Sequence, residues 1–120
     1  MRKINVEKEG FSVVRDFVGH GIGRKLHESP QIPNYGPPGQ GVRLKHGMTL
    51  AIEPMITRGT AKTHVLADEW TVVSNDHSRG AHFENSFVLL PDGKPYVLTA
   101  LDGGRAKLAT LGVEVSDLLD

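Results

Sequence analysis

The sequence predicts an α/β (α+β) chain built mainly of strands, with few helices. Strand-forming runs occur along most of its length, a Pro91–Lys94 turn joins two of them as a hairpin, and the helical signals are short. The 120 residues are enough for one small domain with a hydrophobic core. We therefore expect a single domain over residues 1–120.

The first quarter of the chain is predicted to run from helix to strand to a short turn. Residues 2–9 have the pattern of the last turns of a helix, and Gly10 is placed to end it. Phe11–Val18 is predicted as a strand. Ile22–Leu26 is predicted as one helical turn, which Pro30 prevents from extending.

The middle of the chain alternates loops and strands. Ser29–Gln40 is rich in proline and glycine and is predicted to be irregular, either the rim of a substrate site or a plain connector. Met48–Glu53 and Trp70–Val73 are predicted strands, and Arg58–Ala67 is a hairpin or loop. His82–Leu90 is predicted as one buried strand because of its strand-forming apolar residues.

The C-terminal part continues from that strand. The Pro91–Lys94 turn leads into a partner strand at Tyr96–Thr99. Gly103–Asp120 forms a tail with a helical turn expected around Ala106–Leu111.

Composition excludes several classes of function. Lys+Arg and Asp+Glu each total 14, so the net charge is zero and neither nucleic acid nor a polybasic membrane contact is expected as a partner. The chain has no cysteine, which excludes disulfides, thiol nucleophiles and cysteine zinc sites. No apolar run approaches the roughly 20 residues that span a bilayer, and we expect a cytoplasmic protein.

One histidine between two glycines is the first candidate site. Glycine has no Cβ, so Gly19 and Gly21 are expected to let the backbone bend sharply beside His20 and to admit another group closely. That placement suits a metal ligand or a catalytic base. A turn histidine without a catalytic role is the alternative.

Two glutamates extend this candidate site. Pro54 holds Glu53 extended and ends strand pairing there, although a solvent-facing edge residue would have the same pattern. Glu84 lies in the His82–Leu90 run, where burial would require an ion pair or a metal; an edge strand would avoid that requirement. Imidazole with carboxylates suits Mn, Fe, Co or Zn, and a bridging carboxylate suits two metals that activate water.

Five motifs in order resemble the type I methionine aminopeptidases: G-H-G-I-G, H-E-S-P, I-E-P-M, W-T-V and H-F-E-N-S. The resemblance runs from about Glu9 to about Thr99. It implies a metallo-exopeptidase of the pita-bread fold, with a curved, mostly antiparallel sheet. The implied cofactors are two divalent metal ions in the complete site, and the implied substrate is the N-terminal methionine of peptides or nascent chains.

The resemblance also implies roles for individual residues. Glu53 both binds metal and activates the water, and His27 hydrogen-bonds the substrate and stabilises the tetrahedral intermediate. The residues implied for the methionine pocket have ordinary core packing as their alternative. The implied metal ligands are His20, Glu53 and Glu84, and the implied pocket residues are Phe17, Leu26 and Trp70.

One departure from the family pattern limits what the chain is expected to do alone. The family supplies two aspartate ligands before the histidine, whereas only Asp16 precedes His20 here, within the predicted strand. We therefore expect the C-terminal half of the fold, with one metal or none, and with the missing N-terminal half or a second copy as partner. The alternatives are a non-catalytic half-fold that acts as a binding module, and a truncated gene.

Overall fold

The computed structural model describes residues 6–119 and divides the chain into two compact units. The first unit comprises the described part of Met1–Val18, Pro33–Gln40 and Glu53–Phe83. The second comprises Gly19–Ile32, Gly41–Ile52 and the described part of Glu84–Asp120. Within residues 6–119, no helix has the length and apolar character needed to cross a membrane.

Strands dominate both units, as the sequence predicts. A 3-10 helix spans Val6–Glu9, and the α-helix α1 spans Arg105–Ala109. The strands are β1 (Ser12–Val13), β2 (Gly19–Ile22), β3 (Glu28–Ile32), β4 (Thr49–Ile52), β5 (Met55–Thr57), β6 (Thr63–Val65), β7 (Val72–Ser74), β8 (Gly80–His82), β9 (Asn85–Leu89) and β10 (Pro95–Val97).

The first unit contains two small antiparallel sheets. One has the order β1-β5-β8, and the other pairs β6, inside the predicted hairpin or loop Arg58–Ala67, with β7, which overlaps the predicted strand Trp70–Val73. Val14, Thr57 and Ser74 are buried in this unit. The predicted helix over residues 2–9 lies partly outside the described residues, and its described part is a 3-10 helix that ends before Gly10.

The predicted strand Phe11–Val18 is much shorter than expected. Only Ser12 and Val13 pair, opposite Thr57 and Ile56 of β5. The apolar run therefore predicts the presence of a strand correctly but overestimates its length, since pairing depends on the partner strand as well as on local composition.

The second unit contains one five-stranded sheet, antiparallel throughout, in the order β10-β9-β4-β2-β3. Its middle strand β4 confirms the strand predicted from residue 48 onward. Leu50 is 3% exposed and Ala51 is fully buried, so both faces of β4 are covered. The predicted hairpin around Pro91–Lys94 is confirmed as β9 and β10.

The C-terminal tail packs back onto that hairpin. Helix α1 lies within the tail and confirms the helical turn, although it begins one residue before the predicted Ala106. The fully buried Ser116 donates a hydrogen bond from Oγ to the Asp92 carboxylate at 2.7 Å, and its N–H donates to the Pro95 carbonyl at 3.1 Å. The Ser116 hydroxyl holds the pKa of Asp92 below its usual range.

Two predicted segments are wrong near the candidate histidine. Ile22 is the last residue of β2 and residues 23–27 form bends, so the helical turn over Ile22–Leu26 is absent. The predicted irregular loop Ser29–Gln40 begins instead inside β3, which contains Pro30 after a cis peptide bond. Because β3 is the edge strand of its sheet, it tolerates a proline that donates no hydrogen bond.

The predicted strand His82–Leu90 is divided into two strands. β8 pairs with β5 at His82 opposite Met55, whereas β9 pairs with β4 at Asn85 opposite Ile52. Phe83 and Glu84 lie between the two strands and belong to neither. The interruption has a physical cause in the partner strands, because β4 also ends just before Glu53 and Pro54.

A single carboxylate joins two loops of the first unit. Asp76 accepts hydrogen bonds from the backbone N–H of Thr60 at 2.8 Å and of Ser78 at 3.1 Å. These donors, that of Thr60 foremost, hold the pKa of the Asp76 carboxyl far below its ordinary value of 3.8. Gly59 passes so close to this carboxylate that a Cβ there would overlap it.

We predict that Asp76→Asn lowers the melting temperature at neutral pH. Because the folded-state pKa is depressed, the carboxylate contributes its full stabilisation above pH 3.8, and the contribution is lost as the pH falls through the folded-state value. The difference in melting temperature between wild type and variant should therefore shrink below that pH. Thermal melts by circular dichroism test this, with Glu9→Gln as the exposed control; a difference independent of pH would contradict it.

Candidate metal centre

His20 lies in β2, between the strands β3 and β4. It pairs with Gln31 on one side and Ala51 on the other. A Cβ on Gly19 would overlap the Ala51 carbonyl oxygen, and a Cβ on Gly21 would overlap the Ser29 carbonyl oxygen. The expected close approach of another group to these glycines is confirmed, and the group is the backbone of the neighbouring strands.

The expected sharp bend at His20 is wrong. Neither Gly19 nor Gly21 has a positive φ angle, and both belong to β2, whose register against β3 shifts between His20 and Gly21. The glycines are needed because the neighbouring strands leave no room for a side chain. His20 is thus a residue of an interior strand and not a turn residue.

The His20 ring is oriented by its own backbone. Nδ1 donates a hydrogen bond to the Gly21 carbonyl oxygen at 2.8 Å, since a carbonyl oxygen can only accept. In the neutral imidazole the lone pair then belongs to Nε2. Metal-binding histidines commonly fix their tautomer with such a bond to a backbone carbonyl, so this arrangement fits a ligand that binds through Nε2.

His27 is brought close to His20. The two ring centroids are 4.3 Å apart and the rings are inclined at 49°. His20 is half-buried and His27 is exposed. The resemblance implies a metal role for the first histidine and a substrate role for the second, and the structure places the two side by side within the second unit.

Glu28 holds the bend that carries His27. Its Oε1 accepts a hydrogen bond from the Lys25 N–H at 2.8 Å, and the Gly23 N–H donates to the Lys25 carbonyl at 3.1 Å. A Cβ on Gly23 would overlap the Glu28 carboxylate. The third glycine of the G-H-G-I-G motif therefore leaves space for a carboxylate that organises residues 23–27.

Glu53 directly follows β4 and precedes Pro54, so it lies one residue beyond the strand in which the sequence predicts it. Its side chain is only 14% exposed, so the alternative of a solvent-facing edge residue is wrong. One of its carboxylate oxygens, Oε2, lies 3.4 Å from Nε2 of His82. His82 ends β8 and pairs with Met55, which follows Glu53 by two residues.

Glu84 differs from its predicted environment. It is exposed and lies between β8 and β9, so the prediction of a carboxylate buried within a strand is wrong. Within the first unit, the imidazole of His82 and the carboxylate of Glu53 lie close enough to hold a divalent metal ion, and these donor types fit Mn, Fe, Co or Zn.

The sequence prediction of the metal ligands does not include His82. The sequence feature that could have indicated His82 as a ligand is its spacing from Glu84, since residues two apart in a strand-forming run share one face. His64 and His77, which lie outside the pair of Glu53 and His82, are both exposed.

The residues implied for a methionine pocket are largely accessible. Phe17 is half-buried, Leu26 is 69% exposed and Trp70 is 87% exposed, so core packing is excluded for the last two. The first unit has an open cleft of about 430 Å³, whose wall includes Val14, Met55, Val73 and His82. Phe17, Leu26 and Trp70 are not among the described residues that line this cleft.

The imidazole and carboxylate at this site are donors suited to a divalent metal ion, and comparison with known proteins gives the family. The model of metallopeptidase family M24 matches residues 2–90. This chain belongs to that family.

The named relatives are methionine aminopeptidases. That of Clostridium perfringens is 56% identical over 96 residues, which cover 80% of this chain and 38% of the relative. Methionine aminopeptidase 1 of Bacillus subtilis is 57% identical over 88 residues, which cover 73% of this chain and 36% of the relative. The crystal structure of the Thermotoga maritima enzyme matches with a TM-score of 0.73 at 55% identity, covering 78% of this chain and 37% of that one.

This chain thus spans less than two fifths of the length of these relatives. The crystal structure of the Rickettsia prowazekii methionine aminopeptidase matches with a TM-score of 0.74, and this chain covers 38% of it. The mostly antiparallel sheets with one α-helix fit the predicted half of a pita-bread fold.

We predict that Gly21→Ala destabilises the chain by about 1–3 kcal/mol, the usual cost of overpacking. The new methyl group would meet backbone, which side-chain rotation cannot relieve. Gly80→Ala is the matched control, because a Cβ there comes no closer than 3.3 Å to another atom and the residue also lies in a strand. Urea unfolding compares the variants; equal losses at both positions would contradict the explanation.

Proposed function

We propose that this chain forms the C-terminal half of a metal-dependent aminopeptidase that removes N-terminal methionine from polypeptides. The observation that carries the proposal is the approach of the His82 Nε2 atom to Oε2 of Glu53, 3.4 Å apart, in a chain of metallopeptidase family M24. The methionine aminopeptidases among its relatives supply the substrate class.

The proposed ligands are His20, Glu53 and Glu84. A bound divalent ion supplies Lewis acidity, which polarises the scissile carbonyl and lowers the pKa of water. Glu53 is the proposed proton acceptor for that water. Its low exposure suits the role, because a carboxylate shielded from solvent interacts more strongly with nearby charge.

His27 is the proposed hydrogen-bond donor to the substrate and to the tetrahedral intermediate. Its exposure leaves it accessible to a peptide, and Glu28 fixes the bend before it. Phe17, Leu26 and Trp70 are the proposed contacts of the methionine side chain. The exposed surface of Leu26 and Trp70 is available for such a contact.

The complete reaction is proposed to need residues beyond this chain. The family's two aspartates have no counterpart before His20 apart from Asp16, which accepts a hydrogen bond from Thr63 at 3.0 Å. We propose residues 1–120 as one functional half in the cytoplasm, completed by an N-terminal half or a second copy. Nucleic acid and membrane have no proposed role.

The test is release of methionine from a Met-Ala peptide by the purified chain. It is run with Mn²⁺ or Co²⁺, with chelator, and with an added polypeptide equivalent to the first half. We expect no measurable turnover by the chain alone, and metal-dependent release once the other half is added. His20→Ala should abolish that release, because it removes a proposed ligand.

Three other outcomes would change the proposal. Metal-dependent release by the chain alone would contradict the requirement for the two upstream aspartates and favour completion by a second copy, which the mass of the chain in solution tests. No release with either addition would favour a non-catalytic half-fold that binds peptides. Release insensitive to chelator would exclude the metal mechanism.

A further inference from the structure

We propose that His82 is itself a ligand of the divalent metal, beside Glu53. The inference rests on the proposed metal centre and assigns it a residue that the family resemblance does not. It follows from the position of the His82 Nε2 atom, 3.4 Å from Oε2 of Glu53.

That separation is the one expected for two ligands of a single ion. Zinc binds imidazole nitrogen and carboxylate oxygen at about 2.0–2.2 Å. Two such ligands at a tetrahedral angle are about 3.4 Å apart, by the geometry of those bond lengths. An ion could therefore be bound by both atoms with little movement of either side chain.

The backbone of the first unit maintains this arrangement. His82 pairs with Met55 in the ladder between β8 and β5, and the Phe83 N–H donates to the Pro54 carbonyl at 3.2 Å. The segments that follow Glu53 and His82 are thus hydrogen-bonded to each other. A ligand pair on paired backbone is already oriented, which lowers the entropic cost of binding an ion.

Accessibility is also consistent with a ligand. The His82 side chain is 42% exposed, whereas that of Glu53 is 14% exposed. An ion can enter from the His82 side and still be bound by a largely shielded carboxylate.

The same distance would arise if His82 only formed a charge pair that positions Glu53. The two roles differ in what the imidazole nitrogen does when an ion is added. A ligand bonds to the ion through Nε2, whereas a charge partner is displaced or unaffected. A nitrogen resonance distinguishes them, and an activity assay does not.

The experiment is titration of the purified chain with Zn²⁺ by calorimetry and by NMR of the histidine side-chain nitrogens. We expect the His82 Nε2 resonance to move with the first equivalent of Zn²⁺. We expect His82→Gln to weaken binding by at least about 10–100-fold, the loss that even outer-shell partners of a metal site give. His64→Gln is the control, since His64 is exposed in the same unit and its Nδ1 lies 2.7 Å from Asn75 Oδ1.

The variant Glu53→Gln distinguishes failure of the proposed metal centre from failure of the proposed role of His82. If Glu53→Gln weakens Zn²⁺ binding and His82→Gln does not, the metal centre stands and the role of His82 is overturned. If neither variant weakens binding, both the metal centre and the role of His82 are overturned. An unmoved His82 resonance in the wild-type chain at saturating Zn²⁺ overturns the inference, whether or not the variants fold.

Discussion

Backbone contact around His20 is the constraint on which the second unit depends. Gly19 approaches the Ala51 carbonyl and Gly21 approaches the Ser29 carbonyl, so β2 can pair on both sides only where side chains are missing. That packing fixes the histidine in an interior strand, where its Nδ1 bonds to the Gly21 carbonyl. The bend that brings His27 within 4.3 Å follows directly from the end of the same strand. Strand packing and ring orientation therefore have one cause.

The positions of the carboxylates of Glu53 and Glu84 depend on an interruption of strand pairing. β4 stops before Glu53 and Pro54, and the chain between β8 and β9 leaves Phe83 and Glu84 outside both strands. Proline offers no N–H to a ladder, so residues at this point are released from the strict alternation of a strand. The half-buried Glu53 and the exposed Glu84 differ in environment for that reason. A carboxylate outside a ladder can turn towards an ion without disrupting the sheet.

The sequence was sufficient to predict the strand-rich fold, the β9–β10 hairpin and the end of strand pairing at Pro54. These features depend on local signals, namely apolar strand formers, a Pro-Asp-Gly turn and a proline that stops pairing. It was insufficient for the division of the His82–Leu90 run, the strand nature of Gly19–Ile22 and the partnership of His82 with Glu53. Each of these depends on residues distant in sequence: the register of β5 and β4, the close approach of Ala51 and Ser29, and the ladder from Met55 to His82.

The central claim is that Glu53 is a metal ligand in this chain. The most direct measurement is a crystal structure of the chain from crystals grown with Zn²⁺. Anomalous diffraction data are collected on both sides of the zinc absorption edge. The account predicts an anomalous peak about 2.0–2.2 Å from a carboxylate oxygen of Glu53, the normal Zn–O distance. Zinc bound elsewhere on the chain, with no peak at Glu53, would contradict it.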